Sequence, residues 1–135
     1  MSLLVLASSS HAATIEATRT PFNGTDISGV YQCAGNDIHD GDSHSTMILK
    51  LDAKYSSGKF GAYKVTVDDV YVGSIVSNGK QLAMDFANKD LSKHDFGVAL
   101  ATVNTASSGK ITIKKFYYEP QYMGGGNGIE TCTSK

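Results

Sequence analysis

From residue 27 onward, apolar and polar residues alternate in short runs separated by turn signals. A period of two marks strands with one buried face. The runs are 27–33 (ISGVYQC), 44–52 (HSTMILKLD), 61–68 (GAYKVTVD), 70–77 (VYVGSIVS), 81–87 (QLAMDFA), 95–103 (DFGVALATV), 111–118 (ITIKKFYY) and 128–134 (GIETCTS). No stretch carries a 3.6-residue apolar repeat, so no long helix is expected. Asn78-Gly79 between two of the runs predicts a tight hairpin with a type I′ turn. Pro21 and Pro120 both fall outside the runs, as sheet interiors require.

Strands joined by short loops predict an all-β fold, an eight-stranded antiparallel up-and-down barrel, with a sandwich as the alternative. The expected interior face carries Tyr31, Leu49, Tyr63, Val65, Met84, Phe86, Phe96 and Leu100, with Met47, Leu51, Val67, Leu82, Val98, Ile111 and Ile113 in the same rows. Such an interior either fills with side chains or holds one small ligand. The seventh run places Phe116 and Tyr118 opposite Ile111 and Ile113. The two aromatics therefore lie outside, where they could join a second copy, unless a bulge at Lys114–Lys115 turns them inward.

A meander also sorts the connections, odd-numbered ones to one end and even-numbered ones to the other. His39, Asp40, His44, His94, Asp95, Glu119 and Tyr122 all fall on the odd end and form the candidate rim site. Cys33 on the first strand and Cys132 on the last become neighbours if the barrel closes, and a disulfide there would staple the seam. On the chain-entropy model, closing a loop of about 100 residues stabilises by roughly 4 to 5 kcal/mol. Two free buried thiols are the alternative.

Composition narrows the picture. The chain has 135 residues, 41% of them hydrophobic and 19% charged, with a formal net charge of -1, which suits one compact domain. A single arginine, Arg19, and dispersed lysines give no basic face for nucleic acid. No stretch approaches the roughly 18 apolar residues of a membrane helix. Residues 3–7 (LLVLA) followed by SSSHAA read as the remnant of an export signal ending at Ala12. The expected division is a signal remnant at 1–12, an N-terminal extension at 13–26 and a barrel domain at 27–135. With the cysteines, it points to a periplasmic or secreted protein.

The densest chemistry lies in residues 33–45, CAGNDIHDGDSHS. Aligning Gly41 with the glycine of a calcium loop puts Ile38 and Met47 where oxygen ligands belong, so the spacing fails. His39, His44 and His94 could serve a transition metal but follow no ligand spacing. The expected state of the segment is a solvated loop, with no metal and no cofactor. No serine sits in a nucleophile elbow, Asp68-Asp69 reads as a turn, and GGGNG at 124–128 has no following lysine or helix to make a phosphate loop. The chain is thus expected to be a non-enzymatic binding module.

ISGVYQC resembles the strand that opens lipocalins and avidins, with Tyr31 where those barrels carry tryptophan. The resemblance implies a small barrel holding a small or apolar ligand. Tyr31-x-Cys33, Cys132 and residues 57–60 (SGKF) are similar to elements of periplasmic lysozyme inhibitors, with Phe60 where that family has tyrosine. This second resemblance implies a protein-interaction module such as a hydrolase inhibitor.

Overall fold

A computed structural model describes residues 18–135; the expected signal remnant, 1–12, lies outside the described residues. Eight strands close into one antiparallel barrel in sequential order. They are β1 (Gly29–Asp37), β2 (Gly41–Leu51), β3 (Phe60–Val67), β4 (Tyr71–Asn78), β5 (Gln81–Asn88), β6 (Phe96–Thr105), β7 (Ile111–Glu119) and β8 (Gly126–Ser134). Short 3₁₀ turns at Leu91–Lys93 and Tyr122–Gly124 interrupt the two longest odd-end connections. Consecutive strands pair as hairpins because each connection is short, and closure leaves no sheet edge unpaired along most of the wall.

The seam closes as the alternation requires. Cys33 stands directly opposite Cys132 in the β1–β8 ladder, and the two form a disulfide. Both sulfurs face the interior, which fixes the parity of the neighbouring residues on each strand. Every second residue from Cys33 and from Cys132 therefore points inward, so Asp37 and Glu130 are buried.

The interior divides into two halves. Toward the even end, Tyr31, Tyr63, Met47, Ile75, Ile113 and Val65 are fully buried and fill the barrel. Residues before β1 cover this end. The Tyr31 hydroxyl donates to the Ile27 carbonyl at 2.7 Å, the Tyr63 hydroxyl donates to the Thr25 carbonyl at 3.3 Å, and Phe22 bridges to Gly58. Burial, followed by the neighbouring Tyr63 and Asp26, pushes the Tyr31 hydroxyl up to about 12. Tyr31 therefore stays a neutral hydrogen-bond donor in the core.

Three expectations need correction. Phe96, Val98 and Leu100 face outward, with Phe96 44% and Leu100 69% exposed, and the inner face of β6 is Gly97, Ala99, Ala101 and Val103. Both parities of this strand are apolar, so alternation alone cannot choose between them. The choice follows from volume. Phe86 projects inward from β5 between Gly73 and Gly97 on the flanking strands, and a Cβ on Gly97 would lie 2.4 Å from the Phe86 ring. Small residues on β6 make room for large ones on β5.

The second correction concerns residues 34–43. Most of this stretch is strand, not loop: β1 runs to Asp37, β2 begins at Gly41, and only residues 38–40 turn. The third concerns turn type. In the β4–β5 hairpin Gly79 has a positive φ and Lys80 does not, which fits a II′ turn better than I′. The I′ geometry belongs instead to Asp68 and Asp69, whose φ angles are 51° and 57° and whose turn is closed by Val70 N donating to Val67 O. No bulge interrupts the β7 ladders, so Phe116 and Tyr118 lie outside and Lys115 and Tyr117 lie within.

Candidate functional site

At the odd end the interior changes character. Parity carries Asp37 from β1, Phe86 and Asn88 from β5, Lys115, Tyr117 and Glu119 from β7, and Glu130 from β8 into the barrel, and all are buried. Few of these positions read as interior in the sequence, because charged residues are rarely buried unless paired.

Most of the buried side chains here have a visible reason to be there. The Tyr117 hydroxyl donates to Asp37 Oδ2 at 2.7 Å, while Asp37 Oδ1 accepts the amides of His39 and Asp40 at 2.7 and 3.1 Å. Burial alone would raise the Asp37 carboxyl, but these hydrogen bonds outweigh it and hold the group below its ordinary value. Asp37 thus builds the β1–β2 turn and anchors Tyr117 at once. The Tyr71 hydroxyl donates to Asp95 Oδ2 at 2.6 Å, tying β4 to the β5–β6 connection. Lys115 Nζ lies 2.8 Å from Glu130 Oε2, an ion pair buried on both sides. Desolvation, then the adjoining carboxylates, pushes Tyr71 and Tyr117 well above the ordinary tyrosine range. Neither can act as a phenolate at neutral pH.

Glu119 stands apart from them. It is 9% exposed, and its side chain accepts no hydrogen bond among the described residues. Burial raises its carboxyl to about 7, and the charges of Asp95 and Asp37 push the same way, against a lowering by Lys115. A carboxyl group kept near half-ionised at neutral pH, facing open space, is what a binding or proton-transfer site would hold.

The open space is a cavity of about 270 Å³. Its lining includes Asp37, Glu119, Lys115 and Glu130 on one side and Tyr71, Phe86 and Tyr117 on the other. The aromatic rings meet edge to face, Tyr71 to Phe86 at 5.9 Å and Phe86 to Tyr117 at 6.4 Å between centroids. The entrance follows from the register. β2 pairs with β1 from Gly41 to Leu49, but β3 pairs with β2 only from Met47. The first half of β2 therefore lacks a neighbour on its β3 side, and a slot opens through the wall between Ser43–Ser45 and the Asp68 turn. Asp68 pins the slot's lower margin, its carboxylate accepting the Thr46 amide and its own amide donating to the Thr46 carbonyl. Ser45 Oγ is buried in the slot without a hydrogen-bond partner.

The rim residues expected from the topology are distributed around this mouth unevenly. Asp40 accepts the Tyr122 hydroxyl at 3.0 Å, and both line the cavity with His44 and Glu119. His39 packs edge-on against Tyr122, with Nε2 3.0 Å from the Gly125 carbonyl. Asp95 reaches the site through Tyr71, leaving Oδ1 buried and unpartnered. His94 stands apart, exposed at the left-handed end of the 3₁₀ turn. His39, His44 and His94 do not bring their ring nitrogens together; the single cluster of potential ligand atoms among the described residues is Cys33, Glu130 and Cys132, and its sulfurs are already bonded to each other.

The residues missed by the sequence reading are Asp37, Ser45, Tyr71, Lys115, Tyr117 and Glu130. One signal could have found Asp37 and Glu130: if Cys33 and Cys132 face inward, so do positions 37 and 130. The same count from Ile113 reaches Lys115, Tyr117 and Glu119. None of the family models, curated proteins or solved structures compared with this chain matches it.

Proposed function

We propose that this chain is an exported, non-enzymatic binding module that takes one small ligand into the odd-end half of its barrel. The observation carrying this reading is the division of the interior, packed solid at one end and open as a 270 Å³ cavity behind a slot in the wall at the other. A barrel meant only as a scaffold would fill both halves. The hydroxyls at the site are unsuited to nucleophilic attack, since Tyr71 and Tyr117 are held protonated by burial and by bonds to carboxylates. Export is supported by the disulfide, which oxidising compartments preserve, and no helix among the described residues is long and apolar enough to cross a membrane. The test is gentle-ionisation mass spectrometry of the protein purified from its own host. The expected spectrum carries a non-covalent adduct of small-molecule mass, lost in Ser45→Phe, which plugs the slot. A bare protein mass in both would overturn the reading.

A second reading, a protein-interaction module, draws on the outer surface. The residues Ala62, Val76, Ala83, Leu100, Phe116 and Ile129 stand opposite one another, strand by strand, in a single row from β3 to β8. Four of them, Val76, Leu100, Phe116 and Ile129, are large and exposed. An apolar row of this length on a water-facing wall suits a second copy of the chain, with Tyr118 flanking Phe116, better than it suits bulk water. Sedimentation of the protein should then show a dimer, and Leu100→Glu a monomer of unchanged thermal stability. A monomeric parent protein would sink this reading while leaving the first intact.

A further inference from the structure

The cavity's chemistry points to one class of ligand. Five carboxylates line it, Asp37, Asp40, Asp68, Glu119 and Glu130, against one lysine, Lys115, which is already paired with Glu130. An anion entering here would meet net negative charge in a desolvated space, and a neutral apolar molecule would leave Glu119 and Ser45 Oγ without partners. A bare metal ion is disfavoured by geometry. The carboxylates of Asp37, Asp40 and Glu119 do not form a cluster with ligand atoms within 4.8 Å of one another, the spacing at which a single ion would be held. The wall opposite is aromatic, formed by Tyr71, Phe86 and Tyr117.

We infer that the cavity is a binding site for a small organic cation carrying N–H donors, a primary ammonium or guanidinium on a short apolar body. The cationic head sits against Glu119 and donates to its unfilled acceptor atoms, and the body lies along Tyr71, Phe86 and Tyr117. Two terms favour this over a neutral guest. A hydrogen bond to a charged group contributes more than one between neutral groups, and a desolvated cation gains from aromatic faces. A quaternary ammonium would gain the second term and forfeit the first, because it has no N–H to donate.

The site is also sensitive to pH. Glu119 shares the cavity with Asp37 from β1, Asp40 from the first turn, His44 from β2, Asp68 from the β3–β4 turn, Tyr71 from β4, Lys115 and Tyr117 from its own strand, Tyr122 from the last connection and Glu130 from β8. It also feels the charge of Asp95 from the β5–β6 connection. In the empty barrel Glu119 is protonated below about pH 7, and a bound cation stabilises its ionised form. Affinity therefore rises with pH through that range, and binding releases a proton.

This inference rests on the cavity being a binding site at all, and the experiment separates the two. Pentylammonium, pentan-1-ol and pentanoate are titrated into the full chain, and NMR signals of Ser45, Tyr71, Tyr117 and Glu119 are followed. Pentylammonium should shift these signals, with pentan-1-ol about ten-fold or more weaker, the ratio expected for one hydrogen bond to a charged group. Pentanoate should shift none of them. Glu119→Gln should bring the amine down to the level of the alcohol and remove the rise in affinity between about pH 6 and about pH 8. Because glutamine relieves a buried carboxylate, this variant is expected to fold. Equal binding of amine and alcohol in the parent protein overturns the cation while sparing the cavity. Silence of all four signals toward both overturns the cavity as well.

Discussion

At the scale of single residues, burial of a charged group sets a direction for stability against pH. Glu119 has its carboxyl raised to about 7 because its charged form is desolvated and faces other carboxylates. The protonated form is therefore the one the fold prefers. The stability it contributes is fully present below the ordinary glutamate value and is lost as pH rises through about 7. Denaturant titrations of the parent protein and Glu119→Gln should diverge over that window, with the variant losing less stability toward neutral pH; parallel curves would contradict the assignment. Tyr117→Phe should cost about 2 kcal/mol in urea unfolding, since it strips a buried carboxylate of its hydroxyl donor. Gly97→Ala should cost about 1 to 3 kcal/mol, since its Cβ would crowd both the Phe86 ring and the Tyr118 carbonyl oxygen. A neutral result for Gly97→Ala in urea unfolding would contradict this close approach.

At the scale of strands, legibility in the sequence depended on whether the two faces differed. In β2, β3 and β5 most large apolar residues share one parity, with Ile48 and Phe60 outside it, and Leu49, Tyr63, Val65, Met84 and Phe86 all face the interior. In β6 both parities are apolar, and the large residues turn outward because Gly97 and Ala99 must accommodate neighbours from β5. That decision is made by packing across strands and cannot be read along one of them. The opposite failure occurs at the odd end, where Asp37, Lys115 and Glu130 look like solvent-facing residues but are buried against one another or against tyrosines. Hydrogen-bond partners 80 residues apart in sequence, as for Tyr117 and Asp37, leave no local pattern. Only the disulfide gives a parity that reaches them. Replacing both cysteines with alanine should destabilise the barrel by roughly 2 to 5 kcal/mol, measured by urea unfolding of the double variant. The cost should fall mainly on the β1–β8 ladder, where amide exchange would quicken first.

At the scale of the whole molecule, the barrel has two surfaces of distinct character. The inner one is small, acidic and aromatic, and its slot exists because β2 starts six residues before its pairing with β3 begins. The outer one is apolar and spans β3 to β8, with its large residues on β4 to β8. The opposite wall, on β1 and β2, is mostly polar, with Gln32, Asn36, Asp42, His44 and Lys50 exposed. A cation held inside and a second copy held outside would not compete, because the slot opens beside β2 and the apolar row lies across the far strands.

The bond between Cys33 and Cys132 has a consequence beyond folding. Together with the peptide backbone between them, it makes residues 33 to 132 a covalent ring that contains nearly every hairpin of the molecule. A protease that cuts once anywhere in that ring opens it without releasing a fragment, and the severed strands stay in register on their neighbours. Singly nicked protein should therefore run at full mass on a denaturing gel until reductant is added, and only then separate into two pieces. Such a ring turns most first cuts into harmless ones.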